Sequence, residues 1–538
     1  MIVPIDYASS SAFESTAEQA QLGFATNLRR PVRFHGRLKR NIPMFRFALR
    51  ALGEVIWSSD LWGSDQDHLS AVLDPVITAH PDRLFFEAFS QDQSAYALLI
   101  ARRDLFETEG EIITGTTNVD FSAWLWGALN ELRSSRDTWL RVGPEGFEVK
   151  TTGAGGRFER KVDLPDEWVR GFLQVSSGMA LPGARLSVRP ADLLAALRFL
   201  RYQKAKISPR ALRYEFIPGA DARLVLEPWE EVFPLRGTDH GYTEPRVIRT
   251  WGRRRLKWIE PLLPFAERVD IYLKGRGLPS FYAVQLPDLT FLLGLSGWSE
   301  QNWTGSGSFD LLGETSPATP DILAQVGDHL RQQLHASPRD LAHRLNQPLP
   351  LINQVAAQLG RQGKAMWDVE AREYRWRELF EQPVDEAKLF PPDERMELAR
   401  PLLTALKDVQ CEPQETRKTR SLKTPEGSVN REVIFRDWRV RGTVGGATTE
   451  IVVGDSGRII FGTCSCPFFQ ENLMGRGPCE HMIALHRGTT ELRQDLPTSQ
   501  PVSAPPPSAR STLDKSNTEE SEEEDFDESN TGEEHERR

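Results

Sequence analysis

The stretch Phe461-Gly-Thr-Cys-Ser-Cys-Pro467 and the later Cys479-Glu-His481 contain three of the four cysteines in this 538-residue chain. Their order is Cys-x-Cys, a loop of twelve residues, and Cys-x-His. Deprotonated cysteine and neutral histidine are side chains that bind zinc, and paired spacings of this kind are typical of zinc sites. The sequence therefore predicts one zinc ion bound by Cys464, Cys466, Cys479 and His481.

The flanking residues explain how four side chains reach one ion. Residues two apart point to the same face of an extended chain, so Cys464 and Cys466 can both face the metal. In a helix this spacing would put Cys479 and His481 on opposite sides, so the pair is predicted where a loop becomes the helix of Met482–Leu485. Four protein ligands complete a tetrahedron. This indicates a structural ion, because catalytic zinc keeps one position for water.

The motif Cys464-x-Cys466-x12-Cys479-x-His481 follows two strand-like runs and precedes a short helix, and it resembles the SWIM zinc finger (CxCxnCxH) over residues 428–490. The resemblance implies a ββα module, stabilised by one structural zinc ion, that binds DNA or proteins. The whole chain is similar in plan to bacterial SWIM proteins, some of which are encoded beside MoxR-type AAA+ ATPases and von Willebrand A-domain proteins. We expect contacts from an exposed connection that holds Phe468, Phe469 and Arg476. His486 is predicted at the surface.

The charge of the chain is concentrated at its carboxyl end. Residues 512–538 hold twelve acids and three bases, so this segment contributes −9 to a net charge of −10 and leaves −1 for the rest. Residues 497–538 are rich in Pro, Ser, Thr and acids, a composition that predicts a disordered tail. We find no secretory signal, and apolar runs such as Leu289–Leu295 are too short to span a bilayer. The sequence predicts a reduced, cytoplasmic protein.

The first half of the chain predicts an antiparallel-biased α+β region. Residues 1–25 show little periodicity and are expected to be a loosely ordered lead, and residues 26–305 form one or two α+β subdomains. Amphipathic helices and strand pairs alternate there. The predicted helices are Met44–Ile56, Phe121–Leu132 and Pro190–Tyr202; the predicted strands are Leu84–Phe89, Ala95–Ala101, Trp139–Val142, Phe147–Lys150, Arg213–Ile217, Arg223–Glu227, Ile271–Leu273, Phe281–Val284 and Leu289–Leu295.

Two basic clusters in this half have alternative interpretations. Residues 29–40 contain six Arg and Lys residues, which form either a phosphate-binding patch or a solvated loop beside a helix. Residues 246–257 also contain six, interleaved with Trp251 and followed by Trp258. That composition suits phosphate contact with base stacking, but tryptophans at helical spacing are more often core residues. We favour a solvated loop beside a helix for residues 29–40, and packed tryptophans with solvated basic residues for residues 246–257.

The middle of the chain, residues 321–378, resembles a winged helix-turn-helix domain. Three helices are predicted, the second opened by Ser337 as N-cap, and they are followed by a two-stranded wing. Outward positions of the third helix and cations of the wing could meet nucleic acid, but the cations are few beside a typical phosphate footprint, so we favour a structural or protein-contact role. These residues are Asn353, Gln354, Gln358, Arg361, Lys364, Arg372 and Arg375. Residues 379–427 are predicted to hold one helix, Asp393–Val409, interrupted by Pro401, and a polar, basic linker. Cys411 is a lone thiol at that junction.

These patterns favour a binding protein over an enzyme. The sequence contains no phosphate-binding loop, dinucleotide fingerprint, His-Glu-x-x-His or Gly-x-Ser-x-Gly motif. We therefore predict a non-enzymatic zinc-containing adaptor for protein partners, and the resemblance adds a MoxR-type ATPase and von Willebrand A-domain system as a candidate partner. The alternative is a DNA- or RNA-binding regulator that uses the winged helix and the SWIM module.

Overall fold

The computed structural model is a mixed α+β structure in which antiparallel strand pairs predominate. All the residues that it describes belong to the unit spanning residues 1–499. They are residues 3–5, 11–27, 32–57, 75–119, 121, 123–143, 162–164, 166–181, 183–205, 210–275, 278–297, 303, 318–380, 394–424, 427–454, 459–474 and 477–493. The predicted acidic tail and the predicted strand Phe147–Lys150 lie outside these residues. None of the described helices is long and apolar enough to cross a membrane.

The first half of the chain contains nineteen of the described strands and four α-helices. These elements are β1 Val3–Ile5, β2 Ala12–Ser15, β3 Gln19–Ala25, β4 Phe34–Leu38, α1 Ile42–Trp57, β5 Val76–Ala79, β6 Arg83–Phe89, β7 Ala95–Arg102, β8 Phe106–Thr108, β9 Gly115–Asn118, α2 Ala123–Ala128, β10 Asp137–Gly143, β11 Val162–Leu164, α3 Asp166–Ala180, β12 Ala184–Val188, α4 Pro190–Tyr202, β13 Leu212–Phe216, β14 Arg223–Leu226, β15 Glu231–Pro234, β16 Arg246–Thr250, β17 Arg268–Leu273, β18 Ser280–Leu286 and β19 Leu289–Leu295.

The second half contains the remaining described strands and α-helices. They are α5 Pro320–Gln333, β20 His335–Ala336, α6 Pro338–Arg344, α7 Leu349–Arg361, β21 Ala365–Asp368, β22 Glu373–Trp376, α8 Glu394–Leu402, β23 Leu406–Thr424, β24 Gly427–Val444, β25 Ala447–Val453, β26 Ile459–Cys464, α9 Pro467–Asn472 and α10 Glu480–Gly488. Short 3-10 helices occur at Arg103–Leu105, Leu129–Glu131, Arg253–Trp258, Glu260–Phe265, Leu403–Ala405 and Glu491–Arg493.

An eight-stranded antiparallel sheet is the centre of the first half, with the strand order β12-β17-β18-β19-β7-β6-β5-β9. Every residue of β18 and β19 is buried, in agreement with their largely apolar sequences. Helix α1 packs against β6 and β7 through its apolar face. The antiparallel bias predicted from the sequence is therefore confirmed.

Residues 11–25 differ from the expected loosely ordered lead. Strands β2 and β3 belong to a five-stranded sheet of order β2-β3-β10-β4-β8, in which β3 pairs with β10 in parallel. Ala20, Leu22 and Phe24 are buried, so a period of two residues is present in this segment. This apolar alternation is short and is flanked by polar residues, so the sequence alone does not reveal it.

The basic segment at residues 246–257 packs rather than offering a stacking platform. Trp251 and Trp258 are only 8% and 4% exposed, which confirms the packing interpretation. The segment is strand β16 followed by a 3-10 helix. Two of its cations pair with acids of the protein, in contrast to the solvated bases expected from the sequence: Arg249 donates to Glu227 at 2.8 Å, and Arg255 contacts Asp92.

The predicted three helices and hairpin of the middle segment are present at α5, α6, α7 and β21–β22. The Asp340 backbone N–H donates to the Ser337 hydroxyl at 3.1 Å, so the predicted N-cap is confirmed. Ile352, Val355 and Leu359 are buried on the inner face of α7, as their spacing predicts. These helices and the sheet β20-β22-β21 share a small apolar core.

The middle segment is docked onto the first half of the chain. Helix α7 packs against α3, and a Cβ atom added at Gly360 would lie 3.4 Å from the Cβ of Ser176. Arg375, predicted as a wing cation, is completely buried and donates to both carboxylate oxygens of Asp82 at 2.7 and 2.8 Å. The sequence prediction for Arg375 is therefore wrong, because its partner lies 293 residues away in the chain.

Residues 406–444 form a long hairpin of β23 and β24, where the sequence predicts the end of a helix and a linker up to residue 427. The helix α8 ends at Leu402, one residue after Pro401, and the chain then enters strand β23. Proline inside a helix removes one backbone hydrogen bond and favours termination. Strands β23, β24, β25 and β26 form a four-stranded antiparallel sheet in that order, so the basic residues predicted as a linker lie in a strand.

Candidate metal centre

The ends of one strand and two helices bring the four candidate ligands together. Cys464 is the last residue of β26, and Cys466 is the N-cap of α9. Cys479 is the N-cap of α10 and has extended backbone angles, φ −74° and ψ 167°. His481 lies in the first turn of that helix. The predicted transition from loop to helix at Cys479 is therefore observed.

The ligand atoms of Cys464, Cys466, Cys479 and His481 all lie within 4.8 Å of one another. Sulfur atoms bound to one tetrahedral zinc ion at about 2.3 Å are about 3.8 Å apart, so only a small contraction would be required. The three cysteines are at most 5% exposed. Among the Cys, His, Asp and Glu side chains of the described residues, these four are the group positioned to hold a metal ion.

Hydrogen bonds distinguish the three thiol groups. The pKa of Cys464 is lowered to about 5, first by a hydrogen bond from the Cys479 thiol and further by the Thr449 hydroxyl, whose oxygen is 3.4 Å from the Cys464 sulfur. The pKa of Cys466 is lowered by hydrogen bonds from Cys479 and from the Phe469 backbone N–H. The pKa of Cys479 is raised because its thiol donates to both neighbours. Cys464 and Cys466 thus favour thiolate, the form that binds metals, and the Cys479 thiol is the proton donor to both.

The imidazole of His481 also fits a ligand role. Its Nδ1 atom is buried and makes no hydrogen bond, although the Glu480 carboxylate lies 3.2 Å away. A buried polar nitrogen without a hydrogen-bond partner is costly in a folded protein. Coordination of a metal ion would satisfy this nitrogen. Three thiolates and one imidazole are a donor set that tetrahedral zinc prefers.

Residues 450–485 match the family model of the SWIM zinc finger. The chain contains a SWIM zinc finger. The match covers β25 after its third residue, β26, α9 and the first turns of α10, so it includes all four candidate ligands of the SWIM finger.

No curated protein matches the chain. Among solved structures, 49% of the chain is similar to proliferating cellular nuclear antigen from Entamoeba histolytica, with 12% identity, a TM-score of 0.33 and 98% of that chain covered. The corresponding protein from Thermococcus kodakaraensis is 13% identical over 49% of this chain and 100% of its own, with a TM-score of 0.32.

The surroundings of the SWIM finger correct two expectations about its surface. Phe469, predicted in an exposed connection, is 2% exposed and is enclosed when α9 forms. His486 is 6% exposed rather than at the surface, because the face of α10 that carries it is covered. Phe468 is partly buried beneath the guanidinium of Arg395, 4.9 Å from the ring centre, and Arg476 lies outside the described residues.

Helix α8 is a part of the SWIM finger surroundings that the sequence motif does not include. It packs against α10, and Arg395 donates to the carbonyl oxygen of Pro478 at 3.0 Å, next to Cys479. The hydroxyl of Thr449 on β25 is the second contributor that the motif does not contain. Neither residue is of a metal-binding type, and both act from outside the Cys-x-Cys and Cys-x-His pairs. The sequence offers no signal for their roles.

The SWIM finger also contacts the first half of the chain. A Cβ atom added at Gly275, where φ is +148°, would lie 2.8 Å from the carbonyl oxygen of Ile460 on β26. The guanidinium of Arg246 donates to Gln414 at 3.1 Å and lies 3.5 Å from the Asp437 carboxylate. The finger is thus packed on a larger framework.

Proposed function

We propose that this chain is a non-enzymatic SWIM protein that uses one structural zinc ion and binds protein partners. The observation that carries the proposal is the buried set of three cysteine sulfurs and one imidazole nitrogen within 4.8 Å of one another. Four protein ligands would leave no position for water or substrate. The ion would then fix the shape of a binding module and would take no part in a reaction.

The positions of the ligands support a structural role. They lie at the end of β26 and at the starts of α9 and α10, so a bound ion would hold three elements at one point. Metal binding free energy in such modules is folding free energy. The surface formed by these elements would therefore exist only when the metal is bound.

Binding to protein partners is better supported than recognition of nucleic acid by the middle segment. Helix α7 packs against α3, which restricts its entry into a DNA groove. The guanidinium of Arg375 is committed to Asp82 and Asp368, and it is unable to contact phosphate. These contacts favour a framework role for the winged-helix-like segment over the alternative of a DNA- or RNA-binding regulator.

The resemblance to bacterial SWIM proteins supplies the partner to test. We propose a MoxR-type AAA+ ATPase together with a von Willebrand A-domain protein as the binding partners. In this arrangement the SWIM chain is an adaptor that presents its zinc-dependent surface to one of the two.

Purified full-length chain should contain one zinc ion and should co-purify with this partner pair from a defined mixture. Cys479→Ser is expected to abolish both properties. Cys411→Ser is the matched control, because Cys411 is a free, partly buried thiol outside the cluster and the same substitution there should change neither. Binding that persists in the metal-free Cys479→Ser chain, or the lack of binding by the zinc-loaded chain, would contradict the proposal.

A further inference from the structure

One end of the four-stranded sheet β15-β14-β13-β16 brings together segments that are distant in the chain. Leu212 at the start of β13 pairs with Thr250 at the end of β16, so Arg210 lies beside the residues that follow β16. The turn between β14 and β15, which contains Trp229, lies at the same end. The end of the sheet thus places Arg210 and Trp229 next to the 3-10 helix Arg253–Trp258.

Helix α4 packs on this end of the sheet. The ring centres of Phe199 on α4 and Trp229 are 5.5 Å apart, and the guanidinium of Arg253 lies 4.9 Å from the centre of the same tryptophan ring. The helix also packs against the two 3-10 helices that follow β16. The carboxyl end of α4 and the start of the first 3-10 helix therefore form one region, which we call the α4 surface. Its members are Arg198, Arg201, Tyr202, Lys204, Arg253 and Arg254.

Three of the cations on the α4 surface have no acid partner. Arg198, Lys204 and Arg254 are exposed, and none of them forms an ion pair in the part of the chain that the structure describes. Arg201 differs, because its guanidinium contacts the buried carboxylate of Glu260. The three unpaired cations are thus available to an anion from outside the protein.

Arg253 adds a buried cation to the α4 surface. Its side chain is only 9% exposed and donates to a backbone carbonyl oxygen, that of Glu227, rather than to a carboxylate. The pKa of Arg253 is lowered to about 10, first by burial and then by the neighbouring charges of Arg210 and Arg254. An anion bound beside these guanidinium groups would offset their mutual repulsion.

The acids around the α4 surface do not cancel its charge. Glu260 is already paired with Arg201, and Glu231 is exposed on β15. The carboxylate of Glu227 accepts hydrogen bonds from two arginines of β13 and β16. The five cations of the α4 surface, less Glu231 and Glu260, give a net charge of +3 in a chain whose net charge is −10.

An exposed aromatic ring lies among these cations. Tyr202 is 78% exposed and follows Arg198 by four residues, so the two side chains share one face of α4. In proteins that bind single strands, bases stack on exposed aromatic rings while nearby cations contact the phosphates. A duplex keeps the faces of its bases stacked on one another, so an exposed ring suits a single strand better.

We propose that the α4 surface binds single-stranded nucleic acid, with a base stacked on Tyr202 and phosphates at Arg198, Lys204 and Arg254. This surface lies outside the SWIM finger and the middle segment, and it goes beyond the proposed adaptor function without depending on it. An acidic protein segment is the competing occupant. The exposed ring favours nucleic acid, because an acidic segment requires the cations alone.

The charge test compares two variants of the full-length chain with equal changes in net charge. The α4 variant carries Arg198→Gln, Lys204→Gln and Arg254→Gln, and the control variant carries Arg331→Gln, Arg339→Gln and Arg344→Gln. The control removes exposed arginines of the middle segment that form no ion pair with the described residues. Fluorescence polarisation measures binding to a labelled oligo(dT) of about 20 nucleotides, and to its duplex with oligo(dA), at several NaCl concentrations.

Loss of three phosphate contacts should reduce the slope of log affinity against log salt by about 2.1 for a single strand. The control variant should keep the wild-type slope. Equal losses in the α4 variant and the control variant would overturn the assignment to the α4 surface. Zinc content and circular dichroism verify that both variants are folded.

Substitution of Tyr202 tests the stacking contact separately from charge. Tyr202→Ala should lower the affinity for oligo(dT) about 5- to 150-fold, the loss expected for one base–aromatic stack. Tyr202→Phe should keep the wild-type affinity because it retains the ring, and an unchanged affinity of Tyr202→Ala would refute the stacking role. The proposal also fails if wild-type chain does not bind oligo(dT) at 50 mM NaCl, if the duplex binds as tightly, or if poly-glutamate competes as well as unlabelled oligo(dT) does.

Discussion

The ion pair between Arg377 and Glu87 joins the middle segment to the first half of the chain, and substitution of Arg377 tests how much it contributes to stability. Nη1 of Arg377 is 2.5 Å from Oε1 of Glu87, and the two side chains are only 2% and 1% exposed. The hydroxyl of Tyr96 donates to the same carboxylate oxygen at 2.7 Å. Replacing Arg377 with methionine preserves much of the side-chain volume and leaves Glu87 buried and bonded to Tyr96 without its cation.

Removal of one partner of a buried ion pair costs about 3–5 kcal/mol, because the remaining charge loses its compensation away from water. We expect Arg377→Met to lower the free energy of unfolding by this amount. The double variant Arg377→Met with Glu87→Gln should recover most of the loss, since it leaves no buried charge. Urea unfolding followed by tryptophan fluorescence would measure both changes.

An exposed ion pair provides the matched control. Arg37 and Glu107 are also 2.5 Å apart, but their side chains are 36% and 57% exposed. Arg37→Met removes the same kind of group from a solvated site, and we expect the unfolding midpoint to remain nearly unchanged. Equal destabilisation by the two Arg→Met substitutions would refute the argument from burial.

Three further changes test other parts of the molecule. Cys479→Ser should eliminate bound zinc and unfold the SWIM finger, because structural zinc contributes about 10–16 kcal/mol to such modules; limited proteolysis and metal analysis would detect this, and retained zinc would contradict it. Burial lowers the pKa of His80 from 6.5 to about 4. The folded chain thus binds fewer protons between these values, and stability should fall by about 3 kcal/mol as pH decreases from 6.5 to 4. His80→Gln should flatten that dependence in urea unfolding at pH 4.5 and 7.5, and an unaltered pH dependence would reject this role. Gly275→Ala should destabilise the contact with Ile460 by about 1–3 kcal/mol because of its backbone angle and the close carbonyl. Gly127→Ala, in a helix with open space around the added methyl group, should instead stabilise the protein by about 1 kcal/mol. Thermal unfolding would measure both variants, and an equal loss of stability in both would count against the close approach of Gly275 to Ile460.

The candidate metal site could be predicted because its information is local. The four ligands fall within residues 464–481, and their spacing reflects the geometry of one strand end and two helix starts. The helices α5, α6 and α7 could be predicted for a similar reason, since their apolar spacing and the Ser337 cap are local signals. Predictions of this kind need no knowledge of contacts between residues far apart in the chain.

The errors concern residues whose environment is set by distant parts of the chain. Arg375 has an ordinary wing sequence, and only the fold brings Asp82 to it. Phe469 and His486 are placed by local pattern at a surface that other elements cover. The polar residues of β23 lack an apolar alternation because much of this strand pairs only with β24, so its backbone pairing leaves no hydrophobic pattern to detect.

The contacts of Arg375 and Arg377 have a consequence for recombination of this chain with others. Arg375 bonds to Asp368 and Asp82, and Arg377 bonds to Glu87, so ion pairs join two segments that are more than 200 residues apart. A fragment ending before Pro320 would retain Glu87 without Arg377 and Asp82 without Arg375, and an isolated middle segment would retain Arg377 without Glu87. Transfer of the middle segment into another protein would require acids equivalent to Asp82 and Glu87 in the new host. The two segments therefore have to be exchanged together, although the Gly- and Ser-rich sequence at 305–308 is typical of a domain boundary.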